Sequence, residues 1–156
     1  MPATPALTAD SLGAWLLKAN PAAGGLDEHV RSGFENITTR CVRPSYRTSL
    51  VRAGQPVLLW VSGRDPRLLS GLHAAGHTTG SVGDSPEGPV MPVRLAALVP
   101  PVARAALVED PVLSGLEVLR MPAGSNPSYL DTDQYAALCV AFPQVDRPDG
   151  WSPGNA

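Results

Sequence analysis

The sequence predicts an α+β fold: a small twisted sheet or barrel of about five to six strands with helices at its periphery. Three observations point there. Gly and Pro supply 15 and 17 of the 156 residues, about a fifth, against an average near 12%, so the chain is loop-rich and suits short strands better than a helical bundle. Pro56-Val57-Leu58-Leu59-Trp60-Val61 is apolar throughout, the pattern of a strand buried on both faces. The elements run strand, helix, several strands, helix. That is not the βαβ alternation of a doubly wound sheet.

Taken in order, residues 1–12 read as a Pro- and Ala-rich flexible tail. Ala14-Trp15-Leu16-Leu17 ends at Lys18 and meets the breakers Asn20-Pro21 and Gly24-Gly25, a strand running into a loop. Leu26–Arg31 carries its acids first and its base last and is followed by Gly33, which predicts a short helix. Thr38–Val42 is β-prone, Pro56–Val61 is the clearest strand, and Ser62–Asp65 is a turn. Leu72–Val82 reads as a strand poor in bulky side chains, open to close approach by a backbone or ligand. Residues 83–92 read as a loop, and Val93–Leu98 as a strand broken by Pro100-Pro101. Ala103–Glu109 reads as a short helix, and Asp110–Leu113 as a turn. Leu116–Leu119 reads as strand-like, and Gly124–Pro127 as a loop. Asp131 and Gln134 have capping-box spacing and open a helix over 132–141, with Tyr135 and Leu138 on one face. Residues 143–156 read as a disordered tail, leaving one domain over 13–142.

Composition narrows the function classes. Hydrophobic residues make up 44% of the chain, which excludes wholesale disorder. No apolar run approaches the ~18 residues of a membrane helix. The N-terminal segment has no basic region of a secretory signal. Cys41 and Cys139 are far apart and form no CxxC pair, so they read as reduced thiols of a cytoplasmic protein. The net charge is −2, yet the window 31–67 holds seven arginines (31, 40, 43, 47, 52, 64 and 67) against Glu35 and Asp65. A GC-rich genome accounts for Arg over Lys but not for this local excess. A local basic face suits an anionic partner such as phosphate, while the near-neutral total argues against indiscriminate coating of nucleic acid.

Catalytic signatures are weak. His73 and His77 lie on one predicted strand roughly 13 Å apart, too far for one metal, so they read as polar positions on a half-exposed strand and no metal site or cofactor is expected. There is no GxSxG motif, and no His lies near Cys41 in sequence, so Cys41 reads as structural. Gly71–Gly76 matches GxxxxG, but no GK[ST] follows. A binding constellation remains. Trp60 ends the buried strand beside Ser62-Gly63, Lys18 and Asn20 end the first strand, and the Arg-rich segment lies between. Adjacent strand ends would bring together an aromatic face, polar donors and a basic rim, the recipe for holding a flipped or single-stranded nucleotide. The commoner role of such a tryptophan is core packing, and both roles are open for Trp60. Trp15 reads as core and Trp151 as inert.

These residues resemble the EVE domain family. Trp15-Leu16-Leu17-Lys18-Ala19-Asn20-Pro21 is similar to that family's opening strand, and Leu26–Arg31 sits where it places its first helix. Gln55–Gly63 followed by Gly71–Gly76 is similar to its central pair of strands, and Leu119–Pro127 with Asp131–Tyr135 to its closing motif. The resemblance covers about residues 13–142. It implies a PUA-like mixed β-barrel related to YTH and ASCH domains, and a reader, not an enzyme. The implied partner is DNA or RNA with a modified base, notably a methylated or hydroxymethylated cytosine, flipped into an aromatic and polar pocket. The implied pocket comprises Trp60, Lys18, Ala19, Asn20, Arg40, Cys41, Val42, Ser62 and Asn126, with Arg43, Arg47, Arg52 and Arg64 at phosphates. The family often has Trp-x-Val before the basic stretch; aligned on Val42, Arg40 stands at that tryptophan, and a guanidinium can also stack on a base. Two alternatives belong to other classes. One is an ASCH-like RNA-processing hydrolase, which needs Lys18, Tyr46 and an acid to converge. The other is a protein-interaction module whose nucleotide pocket has decayed.

Overall fold

The computed structural model describes residues 6–19, 26–62 and 69–146. Seven strands form one mixed sheet: β1 (Leu12–Ala19), β2 (Thr39–Cys41), β3 (Pro56–Val61), β4 (Gly71–Thr78), β5 (Gly83–Ser85), β6 (Gly88–Ala103) and β7 (Ser128–Asp131). Their order is β2-β6-β4-β3-β1-β7, with β5 pairing beside β6. Among the described residues only β1 and β3 pair in parallel, with Lys18 beside Trp60. Helices α1 (Leu26–Arg31), α2 (Arg104–Val108), α3 (Glu117–Arg120) and α4 (Thr132–Ala141) lie outside the strands. The sheet curls into a half-barrel, consistent with the PUA-like barrel expected. No described helix is long and apolar enough to cross a membrane.

Two cores form because β1 and β3 are apolar on both faces. Trp15, Leu17, Val57, Leu59 and Val61 fill the concave side with Met91, Val93 and Leu95. Ala14, Leu16, Leu58 and Trp60 face the other side, covered by Leu107, Leu116, Leu130 and Leu138. This alternation is why Pro56–Val61 carries no polar residue. Gly76 allows the backbone of β6 to approach: a Cβ there would overlap the Arg94 carbonyl. Helix α4 starts as its spacing predicts, with Asp131 accepting from the Gln134 backbone N–H and Gln134 from that of Asp131.

Several expectations are corrected. The described residues form seven strands, close to the five to six expected, the extra one being the short β5. β4 stops at Thr78, and residues 83–92 form a hairpin, closed by Ser85 opposite Gly88. β6 runs through Pro100-Pro101, because the register shift between Leu72–Val102 and Ala74–Ala97 frees residues 98–101 from the ladder, so the prolines cost it no donor. Leu116–Leu119 is no strand: Met121 N–H donates to the Glu117 carbonyl and closes one helical turn, which a four-residue apolar run cannot distinguish from a strand. β7 went unpredicted. The expected tails are ordered where described, with Leu7 and Val145 both buried. The rest of residues 143–156, Trp151 included, lies outside the described residues. His73 is buried against the Phe34 ring with Nε2 2.6 Å from the Leu69 carbonyl, while His77 is exposed. His73 is skipped in the pairing of β4 with both neighbours and forms a β-bulge.

Candidate functional site

The site forms where β1 outruns its partner β7. The ladder with β7 ends at Leu16–Ser128, leaving the Lys18 peptide without a strand partner on the β7 side. Asn126 supplies one: Lys18 N–H donates to Asn126 Oδ1 at 2.9 Å, and Asn126 Nδ2 donates to the Lys18 carbonyl at 3.2 Å. Arg40 Nη2 donates to that same carbonyl at 2.9 Å, and Arg43 N–H donates to the Asn126 carbonyl at 2.8 Å. The end of β2 is thereby tied to the loop before β7, and the half-barrel is laced across its open side. Lys18 Nζ donates to the carbonyls of Gly124 (2.8 Å) and Met121 (3.1 Å), pinning the same loop. Burial pulls the Lys18 ammonium below its ordinary pKa, with Glu117 opposing.

Beside this seam lies a cleft of about 260 Å³. Its floor is an ion pair. Arg47 Nη1 and Nη2 each donate to one Glu117 carboxylate oxygen at 2.8 Å, and Nη1 also donates to the Pro127 carbonyl at 3.0 Å. Ser128 Oγ donates to Glu117 Oε1 at 2.8 Å, and the Arg47 guanidinium lies 4.8 Å from the Tyr129 ring centre. Burial pushes Glu117 upward, but the hydrogen bonds from Arg47 and Ser128 prevail and hold it below the ordinary carboxylate pKa. The Glu117 hydrogen bond raises the Arg47 pKa further. Ser45 places Arg47 by capping the 3-10 turn Tyr46–Leu50. The rim is different: Arg43, Ser45, Met121 and Ser125 line it and are exposed. Among the described residues, no hydrogen bond or ion pair engages the Arg43 guanidinium. The Arg40 Nε is buried without a hydrogen-bond partner among the described residues.

Of the expected residues, Lys18, Arg40, Arg43, Arg47 and Asn126 converge here. Others do not. Trp60 is 5% exposed and packed in the helix-side core, so it offers no face to a base. Its β3 position puts it on the face that the helices cover. Arg47, expected at a phosphate, has its guanidinium paired with Glu117 instead. Val42 is buried in the concave core and Ala19 packs against it. Cys41 and Ser62 are exposed and do not line the cleft, and Ser62 N–H donates to the Ala19 carbonyl at 3.3 Å. Arg52 sits at the turn before β3, where its N–H donates to Gln55 Oε1 at 2.8 Å, away from the cleft. Asn20 and Arg64 lie outside the described residues. Of the residues named for the hydrolase alternative, Tyr46 OH accepts from the Leu7 N–H, and Lys18 Nζ donates to two backbone carbonyls. Sequence reasoning missed Glu117, Ser125, Met121 and Tyr129. The segment Leu119–Pro127 carries the family resemblance, but Glu117 lies in the short apolar run Leu116–Leu119, whose pattern suggests a strand where the structure has a helical turn. No group of three or more potential metal ligands occurs among the described residues.

No protein-family model and no curated protein matches the chain. Solved structures share its fold. Rpa0253 from Rhodopseudomonas palustris superposes with a TM-score of 0.65 at 13% identity, over 90% of this chain and 100% of its own. A hypothetical protein from Leishmania major gives 0.65 at 15% identity, with the same coverage. Atu2648 from Agrobacterium tumefaciens gives 0.64 at 13%, over 89% of this chain and 99% of its own. At these identities the likeness establishes the architecture alone.

Proposed function

We propose that the chain is a non-catalytic, cytoplasmic nucleic-acid reader of the EVE type, which takes a modified cytosine-type base into the cleft at the barrel seam. The observation that carries this reading is the contrast within the cleft: an exposed Arg43 at the rim, its guanidinium unengaged among the described residues, above a floor of fixed polar groups. A volume of about 260 Å³ lies below the ~300–1,000 Å³ range of drug-sized sites and suits one base. Arg43 supplies the cation for a neighbouring phosphate and a plane for stacking. Arg40, half-buried, and Lys18 support the seam from beneath.

With Trp60 in the core, the ~1–3 kcal/mol of aromatic stacking is not available to offset the few kcal/mol of extruding a base from a duplex. The favoured target is therefore unpaired, with micromolar affinity and strong salt dependence. The test is a titration of labelled single- and double-stranded DNA and RNA, with and without 5-methylcytosine, at low and physiological salt. Modification-dependent binding that weakens in Arg43→Ala supports the reader. Binding that ignores modification and vanishes with salt favours a basic face on an interaction module.

A further inference from the structure

We propose that Glu117 is the specificity-determining residue of the cleft: its Oε2 accepts a hydrogen bond from the exocyclic amino group of the bound base. This assignment rests on the reader reading above. It selects a cytosine-type over a uracil-type base.

The argument starts from the hydrogen-bond inventory of the carboxylate. Oε1 already accepts two hydrogen bonds, from Arg47 Nη1 and Ser128 Oγ. Oε2 accepts one, from Arg47 Nη2, and keeps a free lone pair. Among the residues lining the cleft, Glu117 is the one carboxylate; Arg43 and Arg47 only donate, while Ser45 and Ser125 can donate or accept through their hydroxyls. Glu117 is held ionised, so it accepts and does not donate. The bidentate Arg47 and the Ser128 hydroxyl also fix its orientation, so little side-chain freedom remains to be lost on binding.

A cytosine-type base offers the N4 amino group to such an acceptor, and a methyl or hydroxymethyl at C5 leaves that amino group intact. A uracil-type base places the O4 carbonyl there instead. Two acceptors then face each other without a proton between them, and a site built for a hydrogen bond rejects the analogue that lacks it.

The experiment compares two single-stranded oligonucleotides that differ at one central position, 5-methylcytosine or thymine. The two bases share the 5-methyl group and differ at the pairing edge. The wild type is expected to bind the 5-methylcytosine strand about tenfold more tightly. Glu117→Gln, whose amide can donate or accept, is expected to bring the ratio close to one. A purely structural role for Glu117 would weaken both strands alike and leave the ratio unchanged, which overturns the assignment. If Glu117→Gln does not fold, N4,N4-dimethylcytosine decides with the wild type. Removing both amino protons should cost as much affinity as thymine does, and full retention overturns the proposal. Equal wild-type binding of the two strands, weakened by Arg43→Ala, removes the role of Glu117 and the cytosine preference with it, and leaves only nucleic-acid binding at the cleft standing. Binding to neither strand removes both.

Discussion

Arg43 and Arg47 stand four positions apart in one basic segment and play opposite parts. Arg47 is two-thirds or more buried in its side chain, bonded to both oxygens of Glu117 and to a backbone carbonyl, and stacked near Tyr129. Arg43 is exposed, its backbone tied to Asn126 and its guanidinium unengaged among the described residues. Arg47 holds the 3-10 turn, α3 and β7 together, and Arg43 is left over a cleft. A local excess of positive charge therefore counts poorly as a measure of an anion-binding face. What matters is how many of the charges remain after the fold has used some of them.

The strongest way to separate scaffold from site is at Trp60. Trp60→Ala should cost about 3–5 kcal/mol of stability from the cavity left in the helix-side core. Trp60→Phe, which keeps most of that packing, should retain ligand binding. A folded Trp60→Phe protein that loses binding while its melting temperature holds would show that the indole does reach the ligand.

Arg47→Ala comes next, at about 2–3 kcal/mol, because it strands a half-buried carboxylate. Thermal or urea unfolding reads it directly. The pH dependence sharpens the result. Glu117 has a folded pKa below its ordinary value, so its contribution is present above the ordinary carboxylate range. It is lost as the pH falls through the folded value, which lies below the ordinary carboxylate range. The gap in stability between wild type and Arg47→Ala should therefore narrow on acidification. A constant gap would place the stabilisation in packing alone.

The smallest effect on the fold belongs to Arg43→Ala, within about 0.5 kcal/mol of wild type, as for a surface position. Oligonucleotide binding should nonetheless fall about tenfold at low salt, with the salt dependence reduced by about one counterion. An unchanged affinity would mean that both arginines are scaffold.

Legibility followed range. β3 over Pro56–Val61, α1 over Leu26–Arg31 and the Asp131–Gln134 box agree with the expectation residue by residue, because each is written in neighbouring positions. Lys18 was legible as a strand end beside an Arg-rich segment, while Arg40 and Asn126 entered only through the family resemblance. The role of each was not legible. Leu116–Leu119 misled because four residues carry no period, and the misreading hid Glu117, the partner that converts Arg47 from ligand contact to scaffold.

By itself the sequence determined the mixed α+β class, the strand that splits the two cores and the segment in which the cations gather. These follow from periodicity, caps and composition, which act over a few residues. Tertiary structure alone decided that Trp60 faces helices and that the Lys18 peptide is closed by a side chain 108 positions away. It also decided that Arg47 meets its carboxylate 70 positions on. Pairings over such distances depend on how the sheet curls and where each strand stops. Those outcomes are set by the packing of the whole chain, and no local pattern of residues records them.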